Sequence, residues 1–128
     1  MDSKLLVGCV EMLILETVSQ GPTYGYAITQ EVLLRSQGYL ELKEGSLYPA
    51  LHRMENQGWL ESYWLDTEDG RRRKYYRLTA LGATVSLAKR AEWERFSQAV
   101  GSVVRGNAAN AGDGARLAAP VLPQVSLT

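Results

Sequence analysis

Five of the seven residues from Arg71 to Arg77 are basic, and none of the seven is acidic. The other two, Tyr75 and Tyr76, add aromatic rings with polar hydroxyls to the same short stretch. Most charge runs are solvated loops, but clustered guanidinium groups can also hold an anion such as phosphate through forked hydrogen bonds. The run therefore marks either a solvated loop or an anion-binding surface.

Polar side chains also cluster between Gly45 and Gln57. Leu47, Leu51 and Met54 recur there at helical spacing, which predicts a helix with one buried face. Pro49 is expected in the first turn of this helix, where a missing N–H has no intrahelical partner. The other faces carry mostly hydrogen-bonding side chains, at Ser46, Tyr48, Pro49, His52, Arg53 and Asn56.

A helix of this kind can present its N-terminal turn and polar face to the major groove of DNA. We expect Ser46 and the free N–H groups beside it to hold a phosphate, helped by the helix dipole. The hydroxyl of Tyr48 can reach the same DNA backbone, and His52 and Arg53 are candidates for contacting base edges. A polar helix face taken alone is usually only solvated, so this prediction depends on the neighbouring elements.

Two strand-like runs, Trp59–Leu65 and Lys74–Leu78, are joined by the sequence DTEDGRR. The Asp69-Gly70 pair within that sequence is typical of a hairpin turn. The opening basic run is therefore predicted to be the tip and returning strand of a β-hairpin.

The two faces of the returning strand differ in their predicted roles. Neighbouring residues of a strand point to opposite sides, so Lys74, Tyr76 and Leu78 share one face. We expect Tyr76 to be buried and the aliphatic stem of Lys74 to cross the edge of the core. Arg71 and Arg72, at the tip, are expected to pack against nothing and to be free to enter a minor groove or contact phosphate.

The remaining helices complete the predicted fold. Apolar spacing predicts a helix over Leu5–Val18, and Thr23 is placed to cap a second helix that reaches Arg35. Tyr39–Lys43 is a short strand at most, and Thr79 is expected to cap a fourth helix. The order helix, helix, strand, helix, hairpin, helix predicts a mainly α fold with a small β-hairpin, the winged helix-turn-helix.

The C-terminal part predicts a second function, dimerisation. Apolar residues with a 3-4-3 spacing on the fourth helix suit packing against another helix, and they are Trp93, Phe96, Val100 and Val103. Beyond Arg105 the chain is rich in Gly, Ala, Asn and Pro, which is typical of a flexible tail. We therefore expect a DNA-binding domain at 1–78, a dimerisation helix at 79–105 that forms a homodimer, and a tail at 106–128.

The composition of the chain limits the classes of function that it can have. Fourteen basic and fourteen acidic residues cancel, so any attraction to DNA must be local. The single cysteine, Cys9, cannot form an intrachain disulfide, and Glu11 and Glu16 interrupt the apolar stretch near the start. These features predict a soluble, cytoplasmic protein with no membrane span. We find no metal-ligand cluster, Gly-rich phosphate loop or nucleophile–base pair, so neither a cofactor nor an enzymatic activity is expected.

Three motifs carry a family resemblance. The sequences GPTYGYAI, EGSLYPALHRMENQGWLES and GRRRKYYRLTALG resemble the PadR-like family of bacterial transcriptional regulators over about residues 5 to 105. The resemblance implies a winged helix-turn-helix with a C-terminal dimerisation helix. It also implies operator binding, usually repression, which a small molecule relieves in many members.

Carried over by position, the resemblance implies individual roles. It implies contacts with double-stranded DNA from Ser46, Tyr48, Pro49, His52 and Arg53, and from the wing residues Gly70, Arg71, Arg72, Arg73 and Lys74. It suggests that Tyr26 approaches phosphate, and it shows Tyr24 where many relatives have histidine. Aromatic residues at the dimer interface of some short members bind flat hydrophobic effectors. Trp93 and Phe96 could do so here, although we favour a simple role in filling the dimer interface.

Two function classes remain open at this level. The leading hypothesis is a dimeric, DNA-binding repressor, because the third helix and the basic wing occur together. The alternative is a winged-helix protein-interaction module that does not bind DNA, since a fold does not dictate a function. Four consecutive cations with few apolar neighbours favour the first.

Overall fold

The computed structural model describes Leu6 and residues 8–110. Among these residues lie four helices and three short strands, which confirms the mainly α fold class with a small β-hairpin. In chain order the elements are α1 (Val10–Val18), β1 (Thr23–Tyr24), α2 (Gly25–Arg35), α3 (Glu44–Asn56), β2 (Leu60–Asp66), β3 (Arg72–Leu78) and α4 (Ala80–Asn110).

The core lies where the apolar faces of α1, α2 and α3 meet the hairpin. Aliphatic residues recur every three or four positions along each helix, so each helix has one apolar face. That face is removed from water when it packs against the other helices and the hairpin. The largest fully buried side chains are Ile14, Leu15, Ile28, Leu47, Leu51, Met54 and Leu60. This core holds α3 with its opposite, polar face turned outward.

Strands β2 and β3 form the predicted hairpin, paired from Leu60 with Leu78 to Asp66 with Arg72. The N–H of Gly70 donates to the carbonyl of Thr67 at 3.0 Å, and Gly70 has a φ of 82°. These features describe a three-residue loop in which a turn is followed by a left-handed residue, a conformation that favours glycine. Tyr76 is buried on the inner face of β3, as the alternation predicts.

The third strand of the sheet was not predicted where it occurs. Thr23 pairs with Tyr76 and Tyr24 with Tyr75, so these two residues form β1 on the free edge of β3. The prediction that Thr23 caps α2 is therefore wrong: Tyr24 occupies the cap position and its side chain makes no capping hydrogen bond. The predicted strand at Tyr39–Lys43 is also wrong, because that segment pairs with no strand and its alternation comes from Leu40 and Leu42 packing on the core.

Two helix starts differ from the prediction. A turn at Gly8 and Cys9 precedes α1, which begins at Val10, because glycine favours turns over helix interiors. Helix α3 begins at Glu44, which makes Pro49 its sixth residue and not a first-turn residue. The ring of Pro49 therefore removes an intrahelical hydrogen bond to the carbonyl of Gly45.

Helix α4 begins as predicted. The N–H of Gly82 donates to the hydroxyl of Thr79 at 2.9 Å, and that hydroxyl also donates to the carbonyl of Gly58 at 2.5 Å. The helix continues to Asn110, past the end expected near residue 105, and the rest of the expected tail, 111–128, lies outside the described residues.

The chain forms two compact units that divide within α4, between Arg90 and Ala91. The start of α4 thus belongs with the winged-helix unit, where Arg90 bonds Glu16 through two hydrogen bonds of 2.7 Å. The domain boundary expected after Leu78 coincides with the end of β3. The first compact unit extends past it, to Arg90. Across the described part of the chain, no helix is long and apolar enough to cross a membrane.

Candidate nucleic-acid interface

A cleft of about 740 Å³ opens between α3, the start of α2 and the hairpin. It contains aromatic, cationic and hydrogen-bonding side chains from all three elements. The lining residues are Tyr24, Gly25, Tyr26, Tyr48, His52, Glu55, Trp64, Arg71, Arg73, Lys74 and Tyr76. The structure therefore brings six of the predicted DNA-contacting residues to one surface, namely Tyr26, Tyr48, His52, Arg71, Arg73 and Lys74.

The floor of the cleft includes a close contact between Tyr48 of α3 and Gly25, the first residue of α2. Gly25 is buried, and an added Cβ there would lie 2.7 Å from the hydroxyl oxygen of Tyr48 and 2.9 Å from its Cε1. A glycine at this position thus leaves room for the phenol end of Tyr48 against the start of α2. Beside them Tyr26 is exposed, as a residue approaching phosphate must be.

One ion pair closes the inner wall of the cleft. The Nζ of Lys74 lies 3.5 Å from Oε1 of Glu55, and the hydroxyl of Ser62 donates to Oε2 of the same carboxylate at 2.5 Å. The ammonium group also lies 5.6 Å from the ring centroid of Tyr76. Burial raises the pKa of the Tyr76 hydroxyl above its ordinary value, although the Lys74 charge partly opposes this. The charge of Lys74 is therefore already balanced by Glu55.

The polar face of α3 is exposed at every predicted position. Ser46, Tyr48, Pro49, His52 and Arg53 all lie at the surface. Arg53 is 57% exposed although its Nε lies 3.9 Å from a carboxylate oxygen of Glu11, so this cation remains accessible.

The phosphate site expected at the start of α3 needs a correction. The N–H groups of Ser46 and Leu47 both donate to the carbonyl of Lys43 at 2.9 Å, so neither is free. Glu44 also places a carboxylate in the first turn, which opposes anion binding there, so the hydroxyl is the group of Ser46 that remains available to a phosphate.

The three arginines of the wing tip have different surroundings. Within the described part of the chain, the guanidinium of Arg71 forms no hydrogen bond or ion pair. Arg72 was expected to pack against nothing, and this is wrong: its guanidinium lies 5.3 Å from the Trp64 ring centroid and 3.7 Å from Asp66. The hairpin register causes this, because Asp66 is the direct partner of Arg72 and Trp64 lies two residues further along the same strand.

Arg73 lies on the opposite face of β3 and makes three contacts. Its guanidinium carbon lies 4.6 Å from the ring centroid of Tyr24, and one nitrogen donates to the Tyr24 hydroxyl at 3.1 Å. Another nitrogen lies 3.6 Å from a carboxylate oxygen of Asp69. Of the three arginines, Arg73 therefore makes the most contacts with other side chains of the protein.

Asp69 organises the turn. Its carboxylate accepts hydrogen bonds from the Thr67 hydroxyl and from the Arg71 N–H. The bond from Thr67, then the one from Arg71, lowers the pKa of the Asp69 carboxyl below its ordinary value. The turn is consequently held by an ionised carboxylate at neutral pH.

Sequence reasoning did not assign Tyr24, Trp64 or Glu55 to this site. Trp64 is the β2 partner of Lys74. The turn predicted at Asp69-Gly70 sets this pairing and could therefore have placed Trp64 beside Lys74 at the cleft. Tyr24 and Glu55 had no such signal, because their contacts with β3 cross about twenty to fifty residues of chain.

The predicted interface residues of α4 lie in the second compact unit. Trp93, Phe96, Val100 and Val103 are between 43% and 74% exposed. The rings of Trp93 and Phe96 are neighbours, with centroids 6.2 Å apart. Searched over the described residues, no group of three or more His, Cys, Asp or Glu side chains is arranged to hold a metal ion.

Three helices followed by a hairpin that borders the third helix define a winged helix-turn-helix protein. Residues 14–87 match the transcriptional regulator PadR-like family. A transcriptional regulator of Mycobacterium tuberculosis is 34% identical over 105 residues, which make up 82% of this chain and 92% of that protein. The chain belongs to the PadR-like family of transcriptional regulators, which confirms the resemblance seen in the motifs.

Solved structures agree with this assignment. A transcriptional regulator from Clostridium thermocellum has a TM-score of 0.71 at 31% identity, covering 80% of this chain and 96% of that one. A PadR-like transcriptional regulator from Bacillus cereus has a TM-score of 0.69 at 29% identity, covering 79% and 96%. The family consists of transcriptional regulators and not of enzymes, in agreement with the expected lack of catalysis.

Proposed function

We propose that this protein is a dimeric repressor that binds operator DNA through α3 and the hairpin wing and is released by a hydrophobic small molecule. The observation that carries the proposal is the cleft, where the polar face of α3 and the basic tip of the wing meet. In winged-helix proteins such a helix enters the major groove while the flanking hairpin contacts phosphate or the minor groove.

Arg71 is the strongest single candidate for contact with DNA. Its guanidinium lines the cleft without a hydrogen bond or ion pair among the described residues, so no internal interaction has to break before it contacts a phosphate. The zero net charge of the chain does not oppose this, because charges further than about 8 Å away are screened at physiological salt. Tyr26 and Ser46 add exposed hydroxyls on the two helices.

Arg72 and Arg53 remain candidates despite their ion pairs. Their side chains are 68% and 57% exposed, and their carboxylate partners lie at 3.7 Å and 3.9 Å. Exposed pairs of this kind contribute only about 0 to 1 kcal/mol, so a phosphate can replace the carboxylate. His52, exposed on the same face of α3 as the cleft, is proposed to reach base edges.

The exposed apolar side chains of α4 support the homodimer. Trp93, Phe96, Val100 and Val103 recur at three- and four-residue intervals, which is the spacing of a helix-packing seam. A large apolar stripe on a helix is stabilised by burial against a second copy. Two DNA-binding units in one dimer would also match a two-fold symmetric operator.

The aromatic pair Trp93 and Phe96 supports the proposed effector. Two rings at 6.2 Å offer the apolar surface on which a flat hydrophobic molecule can stack. An effector bound there would act on the helix that is proposed to join the two copies. Quenching of Trp93 fluorescence by candidate planar compounds, lost in Trp93→Leu, would support this role, and unchanged fluorescence across such compounds would count against it.

A salt series tests DNA binding. Affinity for DNA from the protein's own upstream region is measured by fluorescence anisotropy at several salt concentrations. A dimer that places about six cationic groups on phosphates has a slope of log K against log salt near −5. Arg71→Ala removes two such contacts per dimer, so the slope should become less steep by about 1.8.

The matched control is Arg35→Ala, which removes an exposed arginine at the other end of α2 from the cleft. It should leave the slope unchanged. Equal slopes for wild type and Arg71→Ala would overturn the role of the wing. If the wild type binds no DNA while His52→Ala and Arg53→Ala abolish a protein complex, the winged-helix interaction module is the correct function.

A further inference from the structure

We propose that Tyr24 and Arg73 form a bridge that positions the wing, and that Arg73 therefore promotes DNA binding without contacting DNA. We call this contact the Tyr24–Arg73 bridge. The inference rests on the proposed function for its effect on DNA. Its effect on the wing concerns the free protein and can be tested separately.

The bridge joins two elements that are distant in sequence. Arg73 lies at the start of β3, and Tyr24 ends β1 immediately before α2. The guanidinium covers the Tyr24 ring at 4.6 Å and donates to its hydroxyl at 3.1 Å, so the same side chain makes a cation–π contact and a hydrogen bond. The wing is thereby tied to the helix that precedes α3.

The far end of the bridge reaches the turn. Arg73 pairs with Asp69 at 3.6 Å, and Asp69 in turn accepts hydrogen bonds from the Thr67 hydroxyl and the Arg71 N–H. The backbone at Arg71 is thus connected to Tyr24 through only two intervening side chains. This connection sets the position from which the unpaired Arg71 side chain extends.

Neighbouring rings extend the bridge along the same face of the sheet. Tyr75 lies 5.3 Å from Tyr24 and 6.0 Å from Tyr63 between ring centroids. Arg77 lies over the Tyr63 ring at 5.2 Å and donates to Glu61 at 2.5 Å. A row of three tyrosines therefore has an arginine over each end, and this continuous packing resists bending of the hairpin.

Arg73 is poorly placed to contact phosphate in addition. Its side chain is 34% exposed, compared with 68% for Arg72, and its nitrogens already face a hydroxyl and a carboxylate. A phosphate contact would require breaking a bridge that spans two elements. The family resemblance implied that Arg73 contacts DNA together with the other wing arginines. The bridge assigns Arg73 a different role, that of positioning the wing.

Hydrogen exchange in the free protein tests the bridge without DNA. Tyr24→Phe removes only the hydroxyl, and Arg73→Ala removes the guanidinium. Both should accelerate exchange of the Thr67 and Gly70 amides, which donate within the turn. A hydrogen bond of this strength predicts about a 2- to 10-fold change. Unchanged exchange in both variants would overturn the bridge, and Arg35→Ala is the control that should alter nothing.

The DNA measurement tests the consequence. Tyr24→Phe and Arg73→Ala should each weaken operator binding by about 2- to 10-fold, and the double variant should be no weaker than the worse single variant. The salt slope should stay within about 0.5 of wild type, whereas Arg71→Ala changes it by about 1.8. The inference would be overturned if the affinity losses of the two single variants multiply in the double variant. It would also be overturned if Arg73→Ala changes the salt slope as much as Arg71→Ala does, since that would show direct phosphate contact. If the wild type binds no DNA, the proposed function fails while the exchange data still decide the bridge.

Discussion

The ring of Tyr48 on α3 lies directly over Gly25, the first residue of α2. The space that a Cβ at residue 25 would occupy is 2.7 Å from the Tyr48 hydroxyl oxygen and 3.0 Å from its Cζ. Any side chain at residue 25 would therefore force the Tyr48 ring to move away from the start of α2.

We predict that Gly25→Ala displaces the Tyr48 ring and destabilises the protein. Alanine gains about 0.5 to 1 kcal/mol over glycine in a helix, and the half-exposed Tyr48 ring can move aside at a cost near the lower end of the roughly 1 to 3 kcal/mol for overpacking. The free energy of unfolding should therefore fall by at most about 1 kcal/mol. Urea denaturation measures it. In a Tyr48→Leu background the same change should cost little, and an equal loss in both backgrounds would contradict the proposed contact.

A second glycine predicts a larger effect. A Cβ at Gly82 would meet the backbone carbonyl of Trp59 without room to shift, and that carbonyl also accepts the Thr79 N–H at 3.1 Å. Gly82→Ala should therefore lower the free energy of unfolding by about 3 kcal/mol. Gly45→Ala is the matched control, because Gly45 lies in α3 with open space around its Cα, and it should raise stability by about 0.5 to 1 kcal/mol.

Pro49 lies inside α3 and is exposed, so its replacement should stabilise the helix. Pro49→Ala restores an N–H that can donate to the Gly45 carbonyl, while the unfolded chain gains some freedom. The two effects together predict a gain of roughly 1 to 3 kcal/mol, visible as a higher Tm by circular dichroism. A lower Tm would show that Pro49 stabilises α3 through packing.

The Glu16–Arg90 pair predicts a pH dependence. Two hydrogen bonds from Arg90 lower the pKa of the Glu16 carboxyl below its ordinary value of 4.5, with burial acting in the opposite direction. A carboxyl whose pKa is lower in the folded state stabilises that state fully above 4.5, and the contribution is lost as the pH falls through the lowered pKa.

Glu16→Gln should therefore lower the free energy of unfolding at pH 7 by about 0.5 to 1 kcal/mol, the upper part of the range for surface ion pairs, because this pair is only partly exposed. Denaturation curves from pH 7 to pH 3 measure it. The difference between wild type and Glu16→Gln should shrink below pH 4.5, and a difference that is constant over this range would show that the carboxylate charge is not what matters.

Short-range signals account for the parts of the fold that the sequence predicts well. Apolar residues at helical spacing placed α3 within one residue of its observed ends, Asp69-Gly70 located the hairpin turn, and Thr79 located the start of α4. The alternation along β3 also predicted the burial of Tyr76. Each of these depends on residues within a few positions of one another, where backbone geometry leaves few alternatives.

The errors came from contacts between residues far apart in the chain. Thr23 and Tyr24 resembled the start of a helix, but the free edge of β3 offered backbone partners more than fifty residues away. Leu40 and Leu42 alternated like a strand because both pack on the core without any pairing. No local pattern distinguishes these segments from a helix start or a paired strand, since the residues that decide their structure lie far away in the sequence.

By itself the sequence determined a winged helix-turn-helix with a basic wing, because periodicity, turn chemistry and charge are local properties of the chain. Its motifs carried the resemblance to a family of regulators. Only the tertiary structure decided which wing cation remains unpaired. Arg71, Arg72 and Arg73 are identical in type and adjacent in sequence. Among the described residues, the side chain of Arg71 forms no hydrogen bond or ion pair, that of Arg72 stacks on Trp64 and that of Arg73 covers Tyr24. Arg72 and Arg73 differ because strand pairing sends successive side chains to opposite faces, where the fold brings different residues close. Arg71 differs from both because it lies in the turn, before β3 begins.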